Sequence, residues 1–306
     1  MATAPAGNLP AMGGDVAVVT DSTSYLAPET AATAGVTVVP LQVVVDGRSF
    51  DEGTAFGPRE LSDALRRRVR VSTSRPSPRA FLDTYESAVA TGATAVVSVH
   101  ISGQLSGTAD AARLAANDAP VPVEVIDSHS LGMGLGFAAL SAADAASRGC
   151  SFEEVGDVAR QRAESSSAFF CLDTLEYLRR GGRIGAAQAL LGAALAVKPL
   201  LYLNQGEIQP LEKVRTLSRA VARLEELAVE RAGSRPVDMA VHHLDNAERA
   251  DALAQRLRTR LPALDQLVVS EVGAVIGAHA GPGLLAVVVS PHPTGGGVNS
   301  PQQTQP

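Results

Sequence analysis

The first half of the chain alternates short apolar, β-branched runs with longer segments whose apolar residues recur at helical spacing. Residues 16–20 (VAVVT), 37–45 (TVVPLQVVV), 69–74 (VRVSTS), 95–102 (AVVSVHIS) and 123–128 (VEVIDS) read as strands. Residues 59–69 (RELSDALRRRV) and 78–90 (PRAFLDTYESAVA) read as amphipathic helices. Strands that alternate with helices predict parallel βαβ units.

The second half has a different pattern. Residues 169–174 (FFCLDT) predict a strand, and 175–178 (LEYL) a short helix stopped by Gly181 and Gly182. Residues 186–197 (AAQALLGAALAV) predict an apolar helix halted at Lys198-Pro199. Residues 215–232 and 246–261 carry clear helical periodicity, and 264–290 read as strand, loop, strand. The change in pattern puts a boundary near 163–168, giving domains at 15–165 and 166–290. The breaker-rich ends, 1–14 and 291–306, cannot build a core and are expected to be disordered.

Several first-half strands run into hydroxyl-rich loops: TDSTS, STSRPS, SGQLSGT and DSHS. In open parallel sheets, ligands bind beyond the carboxyl ends of the strands, where helix N–H groups suit an anion. The expectation is that these loops converge on one edge of one sheet. For any single loop, ordinary helix capping explains the hydroxyls equally well.

Composition narrows the function classes. A net charge of −6 over 306 residues supplies no basic field for nucleic acid. Aromatic residues make up 4% and Trp is absent, which argues against base-stacking platforms. Two cysteines, Cys150 and Cys171, indicate a reduced compartment rather than a disulfide scaffold. No signal peptide and no transmembrane run are evident, so a cytoplasmic location is expected.

Catalytic and cofactor motifs fare poorly. Gly103-Gln104-Leu105-Ser106-Gly107 is G-x-x-S-G, not the G-x-S-x-G of a nucleophile elbow. An esterase or thioesterase using Ser106 and His279 stays open, since a triad is defined by geometry. No P-loop is present, and residues 134–139 match G-x-G-x-x-A only loosely, six residues beyond the preceding strand. Close packing or an unusual turn is the simpler reading of those glycines. His242 and His243, adjacent on a strand, point to opposite faces, which argues against shared metal ligation with Asp245. Neither a metal nor a cofactor is expected.

Taken in order, VTDSTSYL, STSRPSP, ISGQLSGTADAA, VIDSHSLGMGLG, LEYLRRGGRIG, VKPLLYLNQGEI, KVRT and IGAHAGPGLLAV resemble the DegV family of bacterial fatty-acid-binding proteins over residues 15–290. The resemblance implies an α/β fold: an N-terminal parallel-sheet domain flanked by helices, and a C-terminal α/β domain with a mixed or mainly antiparallel sheet. It implies a long-chain fatty acid between them. Thr73 and Ser106 would hold the carboxylate, with Ser74 and Gly107 beside them and His279 supporting the network. The family resemblance further implies delivery of the acyl group to a fatty acid kinase, which makes acyl phosphate for phospholipid synthesis. Arg183 and Arg215 match positions near that docking surface. Arg75 stands where the family usually has Gln, Ala109 where an aromatic is common, and Gly132 where Ser is common. The chemistry is consistent with the resemblance: burying a 16-carbon tail offers roughly 10 kcal/mol before binding costs. A buried carboxylate needs such polar partners, and the small residues of 186–197 are candidates to line the tunnel.

Overall fold

The computed structural model describes residues 15–54, 56–190 and 198–292. The chain starts with β1 (Val16–Asp21), α1 (Pro28–Ala34) and β2 (Val36–Val39), then turns into β3 (Gln42–Val45) and β4 (Arg48–Asp51). Next come α2 (Pro58–Arg66), β5 (Val71–Ser74), α3 (Pro78–Ala90), β6 (Ala95–His100), α4 (Thr108–Ala116) and β7 (Val123–Asp127). Helices α5 (Met133–Ser147) and α6 (Phe152–Ser165) precede β8 (Ser167–Cys171) and α7 (Glu176–Arg180). The rest runs β9 (Lys198–Asn204), β10 (Glu207–Val214), α8 (Leu217–Ala232), β11 (Val237–His243), α9 (Ala247–Arg260), β12 (Leu264–Glu271), α10 (Ala274–Ala280) and β13 (Leu285–Pro291).

The predicted parallel sheet forms in the order β2-β1-β6-β7. Every residue of β6 is buried, as a strand covered on both faces requires. Helices α5 and α6 cover one face through Leu135, Ala138, Val155 and Ala159. Helices α3 and α4 cover the other through Phe81, Tyr85, Ala111 and Ala112.

One predicted strand is two. Pro40 follows β2, and the 37–45 run divides there: β2 stays in the parallel sheet, whereas β3 enters a separate antiparallel sheet ordered β4-β3-β5. Proline lacks the N–H needed to continue the ladder. Thr73 and Ser74 therefore lie on an antiparallel strand. The expected convergence of all hydroxyl loops on one parallel-sheet edge does not occur.

The second sheet, β10-β9-β8-β13-β11-β12, is mixed, with β11–β12 its parallel pair. Helices α8 and α9 pack one face through Leu224, Ala228, Leu253 and Leu257. Met133 and Phe137 of α5 reach the opposite face at Ala168, Ala240 and Val288. Helix α5 is thus buried between two sheets, which its glycine- and alanine-rich sequence permits. A Cβ on Gly136 would lie 2.9 Å from the Ser24 carbonyl oxygen, so close packing accounts for that glycine.

Three further expectations change. Residues Gly185–Leu190 form a 3-10 helix rather than the start of an α-helix, and 191–197 lie outside the described residues. Lys198-Pro199 is not a helix stop but the start of β9. The loop expected around His279 is helical, and His279 occupies the last turn of α10. At the C-terminus, Pro291 ends β13 and the His292 ring lies 3.0 Å from Asp238, so these two positions are ordered; residues 1–14 and 293–306, where the tails were expected, lie outside the described set. Cys150 and Cys171 are both free, and burial pushes the Cys171 thiol up to about 12.

Candidate functional site

Strand β5 and helix α10 meet at the centre of the site. Thr73 Oγ1 lies 2.8 Å from His279 Nε2. Burial, and secondly the Arg183 guanidinium, push the His279 imidazole down to about 4. The ring is therefore neutral near pH 7, with one nitrogen a donor and the other an acceptor. Its Nδ1 is buried and has no hydrogen-bond partner among the described residues. The Gly181 backbone packs so closely there that a Cβ at that position would overlap Nδ1.

The loop after β6 brings the second hydroxyl. The Ser102 hydroxyl accepts from Gln104 N–H and donates to the Gly206 carbonyl at 2.8 Å. Ser106 N–H donates to the Ser102 carbonyl at 3.0 Å. The Ser106 hydroxyl is left 2.8 Å from Thr108 Oγ1, at the start of α4. Two guanidiniums brace this loop. Arg75 donates to the Gly107 carbonyl at 3.2 Å, and Arg183 donates to the Leu105 carbonyl at 3.0 Å and the Gly181 carbonyl at 2.7 Å.

Thr73, Ser74, Arg75, Ser106, Arg183 and His279 together line one internal cavity, with about 940 Å³ of empty space that is partly open to solvent. The rest of the lining is mostly apolar, including Leu41, Ile101, Phe170, Leu178, Ile208 and Val288. It draws on the three-stranded sheet, the loops after β1 and β6, the mixed sheet and α10. No Asp or Glu is among the described residues of the lining. Such a wall offers hydroxyls, a neutral imidazole and two cations to an anionic head, and an apolar space to its tail.

Placement differs among the residues singled out in the sequence. Gly107 caps α4 and contributes its carbonyl to Arg75 rather than lining the cavity. Arg183, expected near a docking surface, is half-buried and lines the cavity. Arg215 is exposed between β10 and α8, away from the lining. The expected tunnel wall in 186–197 is partly outside the described residues, and Gly185–Leu190 does not line the cavity. Ser98 belongs to a buried chain: Tyr85 donates to Ser98 at 2.9 Å, Ser98 lies 2.7 Å from His100 Nε2, and His100 Nδ1 lies 3.1 Å from Asp21.

Two polar lining residues, Tyr25 and His242, were not expected at this site. Met133 N–H donates to His242 Nε2 at 3.0 Å, so the proton sits on Nδ1, 2.9 Å from Ser270 Oγ. Burial and, secondly, His243 hold His242 at about 4. The alternation of faces along β11 was the available signal: it sends His242 inward while His243 approaches Glu271 at 3.9 Å. Asp238, Asp265 and His292 form a separate titratable cluster, but Arg162 already pairs with Asp238.

Ser106 and His279 do not pair with one another in this structure. His279 contacts Thr73 rather than Ser106, and Ser106 contacts Thr108. A nucleophile–base pair needs those two side chains in hydrogen-bond reach, with a third group orienting the base.

Comparison with known proteins gives consistent relationships. The model of a family described as an uncharacterised protein of the DegV family matches residues 15–292. A DegV domain-containing protein of Streptomyces coelicolor is 58% identical over 279 residues, covering 91% of this chain and 99% of its own. A structure of fatty acid binding by a DegV family protein from Thermus thermophilus superposes with a TM-score of 0.86 at 33% identity, covering 90% of this chain and 99% of that one. The crystal structure of DegV, a fatty acid binding protein from Bacillus subtilis, gives 0.83 at 32% identity, covering 91% and 99%. No described helix is long and apolar enough to cross a membrane.

Proposed function

The chain belongs to the DegV family, and from that premise we propose that it binds a long-chain fatty acid without catalysing its conversion. The carboxylate is held by Thr73 and Ser106, with Ser74 and Arg75 beside them and His279 supporting Thr73. The tail lies in the apolar cavity between the two halves of the chain, divided near residue 165. One observation carries the reading: a largely apolar cavity has its polar residues gathered from separate elements, with two guanidiniums and no carboxylate among the described lining residues. An anion with a long apolar body satisfies both parts. Each buried CH₂ contributes about 0.8 kcal/mol, and the polar wall offsets the cost of desolvating the head.

In this reading the protein is an acyl carrier that presents the carboxylate to an ATP-using fatty acid kinase for acyl phosphate formation and phospholipid synthesis. The exposed Arg215, together with Arg183 at the cavity wall, forms part of the docking surface.

Native mass spectrometry of protein purified from bacteria is expected to show one co-purified fatty acid per chain. Delipidated protein that fails to bind palmitate or oleate in a calorimetric titration would refute the proposal. Multiple turnover of p-nitrophenyl or CoA esters would instead establish an esterase using Ser106 and His279. The kinase step is tested by adding a fatty acid kinase and ATP to the loaded protein and assaying acyl phosphate.

A further inference from the structure

A second cleft lies behind Tyr25, with about 1,250 Å³ of empty space that includes open solvent. Among the described residues, Tyr25 is the one side chain that lines both this cleft and the main cavity. We propose that the cleft is a subsite for the distal end of an acyl chain, and that Tyr25 is the partition that limits chain length. The inference rests on the fatty-acid reading above.

Tyr25 is held rigidly. Its backbone is left-handed at φ 52°, a costly conformation for a bulky side chain. Its N–H donates to the Ser22 carbonyl at 3.3 Å, and its hydroxyl accepts from Ile276 N–H at 3.4 Å. Its ring stands edge-on to His242, with centroids 6.0 Å apart. A side chain held at its hydroxyl and at its ring, on a backbone tied to Ser22, is a wall rather than a mobile flap.

Its position relative to the carboxylate wall follows from α10. Tyr25 meets Ile276 in the first turn of that helix, and His279 lies in the last. Tyr25 also stands against His242, which with Ala168 and Val288 lines the same cavity, so a chain anchored at Thr73 and His279 that fills the cavity meets Tyr25.

The space beyond suits the end of a hydrocarbon chain. Leu26, Ala31, Val36, Val38 and Phe56 supply an apolar lining. The polar groups there include Glu52 and Glu271 and no cation. Ser22, Ser24 and Ser270 add hydroxyls, but two carboxyl groups without a cation disfavour a second carboxylate, so the acid head stays at the arginine-bearing wall and the methyl end enters the cleft.

The test titrates the delipidated full chain with saturated acids from 14 to 22 carbons. Wild-type protein is expected to bind palmitate at least tenfold more tightly than the 20- and 22-carbon acids. Tyr25→Ala opens the partition and shifts that ratio at least tenfold toward the longer acids. Tyr25→Leu repeats the measurement with an apolar replacement should the alanine variant fail to fold. Adding Ala32→Phe, which refills the cleft from α1, is expected to reverse the shift. Folded Tyr25 variants that bind palmitate but keep the wild-type length profile would overturn the partition and leave the fatty-acid reading standing. Wild-type protein that binds none of the acids would overturn both.

Discussion

Thr73 and His279 are 206 positions apart in sequence, yet Thr73 Oγ1 lies 2.8 Å from His279 Nε2. The contact joins a short antiparallel strand of the first half to a short helix of the second. It fixes one wall of a cavity that neither half encloses alone.

The two hydroxyls are expected to carry most of the head-group recognition. Hydrogen bonds to a charged group contribute about 1.5–3 kcal/mol each, so Thr73→Ala or Ser106→Ala should weaken acid binding roughly 10- to 100-fold. The double variant should abolish measurable binding. Both side chains are half-buried and outside the core, so thermal unfolding should shift little. Calorimetry and circular dichroism check the two parts separately.

Gly181→Ala tests the seat of the imidazole. Gly181 has φ −77° and ψ −7°, which any residue adopts. Alanine there would ordinarily be neutral or mildly stabilising. The new Cβ, however, would lie 2.8 Å from His279 Cε1 and overlap Nδ1. The expected outcome is a lower melting temperature and at least several-fold weaker acid binding.

Arg183→Gln removes a cation beside His279. The His279 pKa, now held at about 4 by burial first and Arg183 second, should rise but stay below 6.5 because burial remains. Acid affinity should fall by roughly tenfold as one of the two wall cations is lost. NMR titration of the imidazole and calorimetry read the two effects.

Acid should destabilise the protein through two histidines. His242 and His279 are both held at about 4 in the folded state, against 6.5 for the unfolded chain. The unfolded state therefore binds more protons over this window. The stability these groups contribute is full above pH 6.5 and is lost as pH falls toward 4. Each such difference corresponds to roughly 3 kcal/mol. Urea denaturation at pH 7.5 and pH 4.5 should show a drop of a few kcal/mol, reduced in a His279→Asn variant.

The residue types that meet in the cavity were legible in the sequence, but their meeting was not. Ser106 and Thr73 stood out as hydroxyls in loop sequences, and His279 as an imidazole among glycines. Arg183 was legible as a residue but not as a cavity wall. Its side chain reaches back across 78 positions to the Leu105 carbonyl, and no local pattern encodes that contact. Tyr25 was invisible for a related reason: an aromatic after DSTS looks like any loop residue until its hydroxyl is found at Ile276 N–H.

Whereas α5 and α6 became evident only in the fold, hydrophobic periodicity by itself determined most strands of the parallel sheet and one of its covering helices, 78–90. Those are short-range properties, since period and turn chemistry act over a few residues. The tertiary structure decided which sheet received Thr73, because Pro40 ended one ladder and β3 had to pair elsewhere. It also decided that His279 would be helical, neutral and aimed at Thr73. A cavity is the space left between packed elements, so its walls are set by contacts between segments rather than by the sequence within any one of them.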